Sequence, residues 1–193
     1  MEFVLDLLQG LGIAAGVGIR PFLPVILVGA LAAANLGLDY NGTDFAFLEQ
    51  APFLAAVLVL MAVTTIAMRR TDLNAGPFVW ALLALSVVVG ALQAAGSLAD
   101  HGRTIVPGII GGALAAALGF FAARSLFTRV RRRLDQEAQS VLPAYGEAAG
   151  LVAAGASVLF PPLAILVLGA LAWLLAGGRR RAGEKYAGLR ILR

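Results

Sequence analysis

Seven apolar runs of about bilayer length make up most of this 193-residue chain, and they constrain its fold more than any other feature. The runs cover residues 3–18, 21–37, 51–68, 77–98, 105–126, 143–159 and 161–177. Hydrophobic residues form 60% of the sequence and charged residues 13%, whereas soluble domains average about 25% charged residues. Because the runs lack the alternation of a membrane β-barrel, we predict an all-α, polytopic membrane bundle in one transmembrane domain, with a basic tail at 178–193.

The positive charges lie on alternate connections and predict the orientation in the membrane. Thirteen of the 15 Lys and Arg residues lie at the end of the third, fifth and seventh runs or in the segments that follow them. The connection after the second run instead carries Asp39, Asp44 and Glu49. Since positive residues near span ends stay in the cytoplasm, the C-terminus is predicted to be cytoplasmic and the N-terminus outside.

Two stretches, 3–37 and 143–177, are too long for one crossing and contain prolines near the middle. A continuous helix over 3–37 would be about 52 Å long, against a hydrocarbon core of about 30 Å. Proline disfavours a helical residue before it and is tolerated in a first helical turn, so each stretch is predicted to form a helical hairpin. The breaks are marked by Pro21 and Pro24 in one hairpin and by Pro161 and Pro162 in the other.

The two hairpins also align with each other at a constant offset of 140 residues, so that residue 10 aligns with residue 150. Pro21 aligns with Pro161, and the string at 29–32 aligns with the identical string at 169–172. Under the predicted orientation the two copies run in opposite directions across the membrane. We therefore predict an inverted repeat of re-entrant hairpins, an arrangement common in secondary transporters.

Arg20 lies in the first break, directly before a predicted helix N-terminus. An arginine in an apolar hairpin needs water, a lipid head group or a counter-ion, and the free N–H groups of a helix start favour anions. The candidate anion or head-group site consists of Arg20, Pro21, Phe22 and Leu23. Candidate polar partners are Asp6, Gln9, Gln93 and Glu147. The alternative interpretation is that Arg20 is one more cytoplasmic charge that sets orientation.

Other chemistry is poorly represented. The chain has no cysteine and one histidine, His101, so thiolate metal sites and cysteine nucleophiles are excluded and no metal site is predicted. The serines have no base at a plausible spacing, and no catalytic residue or cofactor is assigned. The net charge of +4 is attributed to membrane orientation and not to nucleic-acid binding. The sequence therefore does not predict an enzyme.

The string GIRPFLPVILVGALA at 18–32, the later proline-broken repeat and the closing KYAGLRILR resemble a family of bacterial membrane proteins catalogued as domain of unknown function 4126. The resemblance covers most of the chain and implies a small multi-pass protein of the bacterial cell (inner) membrane. It implies no substrate. An arginine beside a proline in a broken hairpin is also similar to lipid-translocating proteins with paired re-entrant helices.

Two functional hypotheses follow from these patterns. The first is a small transporter or lipid translocator for an anionic or lipid substrate, with membrane lipids as partners. The second is a non-catalytic subunit or scaffold that packs against another copy of the chain or against a larger membrane complex. Stripes of small residues at four-residue spacing, such as Gly10, Ala14 and Gly18, would let helices pack closely in either case.

The predicted orientation can be tested by cysteine labelling, because the chain has no cysteine of its own. Single cysteines at Asn41 and Gly102 are expected to react with an impermeant thiol reagent added to intact cells. Cysteines at Thr71 and Ala182 are expected to react only after the membrane is opened. Labelling at Ala182 in intact cells would contradict a cytoplasmic C-terminus.

Overall fold

The computed structural model describes residues 2–70, 76–131 and 133–187, and the regular secondary structure of these residues is helical, without a strand. It contains seven α-helices and one 3₁₀ turn at Ala46–Leu48. The all-α prediction is therefore confirmed. The helices are α1 Glu2–Ile19, α2 Leu23–Ala33, α3 Ala51–Arg70, α4 Pro77–Ala99, α5 Val106–Arg131, α6 Gln136–Leu159 and α7 Leu163–Ala187.

Both predicted hairpins are present, and their breaks fall at equivalent positions. The first break separates Ile19 from Leu23 and the second separates Leu159 from Leu163, so both boundaries differ by 140 residues (159 − 19 and 163 − 23). Pro24 lies in the first turn of α2, as predicted, although the helix begins two residues after Pro21. Pro161 and Pro162 lie within the second break. The prediction of two helix–break–helix units is confirmed.

The second arm of the first hairpin is shorter than predicted. Helix α2 has 11 residues, about 16 Å, and ends at Ala33, not at residue 37. Asn35 adopts a left-handed backbone (φ 54°), and the Leu36 N–H donates to the Leu31 carbonyl at 2.9 Å. This 6→1 bond closes the helix, because asparagine tolerates the left-handed conformation better than most residues do.

Helix α6 begins before the predicted start at Pro143. The Asp135 carboxylate accepts a hydrogen bond from the Ala138 N–H at 2.9 Å and caps the helix, so Pro143 lies inside it. Helices α5 and α7 likewise extend past residues 126 and 177. Much of the predicted basic tail is thus helical, while 188–193 lie outside the described residues.

Helix α1 is the centre of the bundle and packs against α4, α5, α6 and α7. Close approach is possible because its contact positions are glycines. A β-carbon at Gly10 would lie 2.9 Å from Cα of Ala94 in α4, and one at Gly16 would lie 2.7 Å from the carbonyl oxygen of Gly150 in α6. A β-carbon at Gly18 would overlap the Ala116 carbonyl of α5. The small-residue stripes are therefore packing surfaces.

Helices α1 and α6 run antiparallel. Along the pair, Gly12 faces Ser157, Gly16 faces Ala154, and Arg20 faces Gly146. One end of the bundle, here called the Arg20 end, contains the first hairpin break. The opposite end, here called the Glu2 end, brings together the start of α1, the 34–50 connection, the turn at 100–105 and the second hairpin break.

Four helices of the described chain are long and apolar enough to cross a membrane: Glu2–Ile19, Phe78–Ala99, Val106–Arg131 and Ala138–Leu159. The apolar parts of the other three helices are shorter, namely Leu23–Ala33, Ala51–Ala67 and Leu163–Gly177. The architecture is compatible with a multi-pass membrane protein. Length and composition support four crossing helices, fewer than the seven apolar runs.

A matched pair of glycine substitutions tests the role of α1. Gly18→Ala places a methyl group against the Ala116 carbonyl and is expected to destabilise the protein by about 1–3 kcal/mol, as overpacking does. Gly169→Ala in α7 meets nothing within 4 Å and should be neutral or slightly stabilising, because alanine favours helix. Thermal unfolding in detergent measures both. Equal midpoints for the two variants would contradict tight packing at Gly18.

Candidate functional site

A cavity of about 420 Å³ opens at the Arg20 end, and three arginines line it. We call this cavity the arginine pocket and define it by Arg20, Arg124 and Arg131. Ile19 and Pro21 line it from the first break, and Leu142 and Pro143 line it from α6. Basic side chains and apolar walls therefore meet in one cavity. The remaining lining residues are Val79, Leu82, Phe120, Ala123, Phe127 and Thr128.

One face of α5 forms the longest wall of the arginine pocket. Its lining residues repeat at intervals of three and four, the spacing that places side chains on one side of an α-helix. Apolar and basic side chains alternate along this face, and the two arginines follow Ala123 and Thr128. The wall consists of Phe120, Ala123, Arg124, Phe127, Thr128 and Arg131.

Arg20 has an internal counter-ion, Glu147 of α6. Arg20 Nε lies 4.0 Å from Glu147 Oε1, and each side chain is 23% exposed. The Arg20 guanidinium also stacks on the ring of Phe127, 5.9 Å from its centroid. The ion pair is longer than the 2.7–2.9 Å of strong charge-assisted hydrogen bonds, so Glu147 holds Arg20 loosely.

Glycines on α6 bring Glu147 to Arg20. A β-carbon at Gly146 would lie 3.0 Å from Arg20 Nε, and one at Gly150 would lie 3.0 Å from Cγ of Pro24. A side chain at Gly150 would press on Pro24 and on the Gly16 carbonyl, whereas one at Gly146 would displace the side chains of Arg20 and Phe127. The backbone N–H of Leu23, at the start of α2, faces the same carboxylate. An internal carboxylate therefore lies at the helix start where the sequence predicts an anion.

The four residues of the predicted anion site have different surroundings. Arg20 and Pro21 line the arginine pocket. Phe22 is buried, with 6% of its surface exposed, and is not part of the pocket lining. Leu23 contributes its backbone at the start of α2.

Of the predicted polar partners, only Glu147 lies beside Arg20. Asp6 and Gln9 lie on α1 roughly 21 Å and 16 Å along the axis from Arg20, at the Glu2 end, and Gln93 is joined to the same end through Tyr40. All three have other partners. The structure therefore divides the predicted polar residues between the two ends of the bundle.

Buried side chains form a polar network at the Glu2 end. Gln9 Nε2 donates to the carbonyls of Gly37 at 2.7 Å and Val158 at 3.1 Å. The Ser97 hydroxyl donates to the Asp6 carbonyl at 3.0 Å and lies 3.2 Å from Gln9 Oε1. A side chain of α1 thus holds the end of α6 at the second hairpin break.

Tyr40 brings the 34–50 connection into this network. Its ring is fully buried against Gly96, and its hydroxyl donates to Gln93 Oε1 at 2.7 Å. Burial raises the pKa of Tyr40, and the carboxylates of Asp100 and Glu49 raise it further, so the hydroxyl remains a donor at neutral pH. Gln93 is itself fully buried.

Charged groups lie at the rim of the Glu2 end. Asp6 Oδ1 lies 3.6 Å from His101 Nδ1, and Asp6 Oδ2 lies 3.9 Å from Arg103 Nε. Arg103 also pairs with Glu2 at 3.3 Å. His101 is half exposed, and among the described residues no group of three or more His, Cys, Asp or Glu side chains could hold a metal ion.

From the sequence, Arg124 is interpreted as an orientation signal, and Arg131 belongs to a basic run at 129–133 that either sets orientation or attracts anionic lipid. The sequence does not identify Phe127 or Tyr40. A usable signal exists for α5, because residues 120, 123, 124, 127, 128 and 131 share one helical face. For Tyr40 no comparable signal exists, since its place depends on how the 34–50 connection folds back onto α4.

Comparisons of the chain with protein-family models, with curated proteins and with solved structures find no match. The resemblance to the family catalogued as domain of unknown function 4126 stays a prediction.

The buried hydroxyl of Tyr40 provides a test of the polar network. Tyr40→Phe removes the donor to Gln93 and leaves a buried amide oxygen without it, so the expected loss is about 1–3 kcal/mol of unfolding free energy. Tyr145→Phe is the matched control, because Tyr145 is 69% exposed. Thermal unfolding of both variants in detergent measures the difference. A Tyr40→Phe variant as stable as the control would contradict a structural role for this bond.

Proposed function

We propose that the protein is a small integral membrane transporter or lipid translocator and that the arginine pocket binds the anionic part of its substrate. Arg20 is the residue expected to contact a phosphate or carboxylate. Four helices long enough to cross a membrane support the membrane assignment. A multi-pass protein of the bacterial inner membrane with a cytoplasmic C-terminus is part of the same proposal, on the distribution of Lys and Arg and on the family resemblance.

The observation that carries this proposal is the composition of the arginine pocket. Guanidinium groups bind phosphate and carboxylate oxygens through planar pairs of N–H donors. The apolar face of α5 would accommodate a hydrocarbon chain beside them. A cavity of about 420 Å³ is within the usual size range of small-molecule sites. These features together fit an anion attached to an apolar body.

The arrangement of the two hairpins supports transport. We interpret them as an inverted repeat, because their breaks are 140 residues apart and their first arms, α1 and α6, pack antiparallel. Each break is held by the first arm of the other hairpin, through Glu147 at the first break and Gln9 at the second. Many secondary transporters place broken helices from inverted repeats around a central site.

A scaffold role is the second candidate, and the exposed side of α7 supports it. Gly169, Ala172 and Ala176 are exposed and share a face of this helix, and a β-carbon at Gly169 would meet nothing within 4 Å. Small-residue faces let another helix approach closely. The partner in this alternative is a second copy of the chain or another membrane protein. Neither candidate assigns an enzymatic step or a cofactor.

Substitution at Arg20 tests the proposal. Arg20→Ala is expected to weaken binding of phosphatidylglycerol by about 10–100-fold, the range for losing a hydrogen bond to a charged group. Arg20→Lys should restore binding only in part, because an ammonium group cannot reproduce the planar donor pair. Titration calorimetry in detergent measures binding, and a reconstituted flux assay measures transport.

Arg103→Lys is the matched control, because Arg103 is paired with acidic residues at the opposite end of the bundle. It should bind lipid like the parent. If Arg20→Lys also behaves like the parent in both assays, Arg20 is a topological anchor and the anion site is disproved.

A further inference from the structure

One carboxylate, that of Glu147, lies beside Arg20 and outside the set of residues that line the arginine pocket. Oε1 of Glu147 lies 4.0 Å from Arg20 Nε, and its Oε2 is buried without a hydrogen-bond partner among the described residues. An incoming phosphate or carboxylate therefore competes with Glu147 for the same guanidinium. Whether the displaced carboxylate stays charged or gains a proton determines whether the site takes up a proton with the anion.

We propose that an anion binds at Arg20 together with one proton, which is taken up by Glu147. The inference rests on the proposed function and names the coupling ion of the same site. The anion takes over the Arg20 guanidinium, and the proton from solvent neutralises the displaced carboxylate. The net charge added to the pocket by a singly charged anion is then zero.

The surroundings of Glu147 favour protonation once Arg20 is engaged. Arg20 approaches it from the first break and the Leu23 N–H from α2, while Arg124 and Arg131 of α5 line the pocket to which Arg20 also belongs. Helix α4 contributes the apolar side chains Val79 and Leu82 to the lining of that pocket. A bound anion pairs with the arginines, which then stabilise the Glu147 carboxylate less, and it places a second negative charge near Glu147. Both effects disfavour an ionised carboxylate that is mostly buried.

The direction of the pH dependence follows from this exchange. In the proposed exchange, Glu147 gives up its pairing with Arg20 and gains one proton when the ligand binds. Because the bound state holds more protons than the free state, affinity rises as pH falls, by at most about tenfold per pH unit for one proton.

The experiment uses a short-chain phosphatidylglycerol and the full-length protein in detergent. A phosphodiester keeps one charge across the neutral range, whereas a phosphate monoester has a second pKa of about 6 that would obscure the result. Calorimetric titrations in two buffers of different ionisation enthalpy give the number of protons taken up. The parent protein is expected to take up about one proton per lipid bound.

Two variants assign the proton to its residue. Glu147→Gln should still bind the lipid, with proton uptake near zero and an affinity that no longer changes with pH. Glu2→Gln is the control, because Glu2 is an exposed acid at the opposite end, and its proton uptake should match the parent.

The outcomes separate this inference from the proposed function. Lipid binding by the parent without proton uptake, or uptake that persists in Glu147→Gln, disproves the coupling and leaves the anion site intact. Absence of lipid binding by the folded parent disproves the proposed function and the coupling together. If Glu147→Gln does not fold, the two-buffer measurement on the parent alone still decides whether a proton is taken up.

Discussion

The contact between α1 and its neighbours depends on the absence of side chains at a few positions. Gly16 and Gly150 bring α1 and α6 close enough for backbone atoms to touch, and Gly18 does the same with α5. In a membrane, helices gain little from the hydrophobic effect when they associate, so such packing must supply much of the attraction. It also fixes the distances between polar groups, because Arg20 and Gln9 are carried on the same rigid helix. The two polar regions are therefore consequences of one packing arrangement.

Each hairpin break leaves backbone N–H or C=O groups that need hydrogen-bond partners. At each break, a polar side chain from the other hairpin lies beside these groups. Gln9 binds the Val158 carbonyl near the second break. Glu147 lies beside Arg20 and the start of α2 at the first break. Unsatisfied backbone groups are costly in an apolar environment, which explains why polar side chains lie inside the bundle at these positions. The two solutions differ chemically, since an amide holds one break and an ion pair holds the other.

The prolines and the run lengths were sufficient to predict the two breaks and the helical class, because proline constrains the backbone locally. They also placed Arg20 in the first break. The end of α2 was mispredicted because residues 34–37 are apolar enough to extend the run, while Asn35 closes the helix through its backbone conformation. The choice of Glu147 over Asp6 as the partner of Arg20 requires the antiparallel register of α1 and α6. The spacing of residues in the sequence does not predict that register, because it is set by packing between segments that are far apart in the chain.

The Arg20–Glu147 pair also bears on the choice between a transporter and a scaffold. A mostly buried ion pair at 4.0 Å is a poor stabilising device, because desolvation of both charges offsets much of their attraction. Apolar residues of similar volume would hold the break at least as well. A binding site would gain from this pair, since Arg20 also lines the pocket and an incoming anion could exchange with Glu147 for its guanidinium. The length of the pair therefore agrees with the proposed anion site at Arg20.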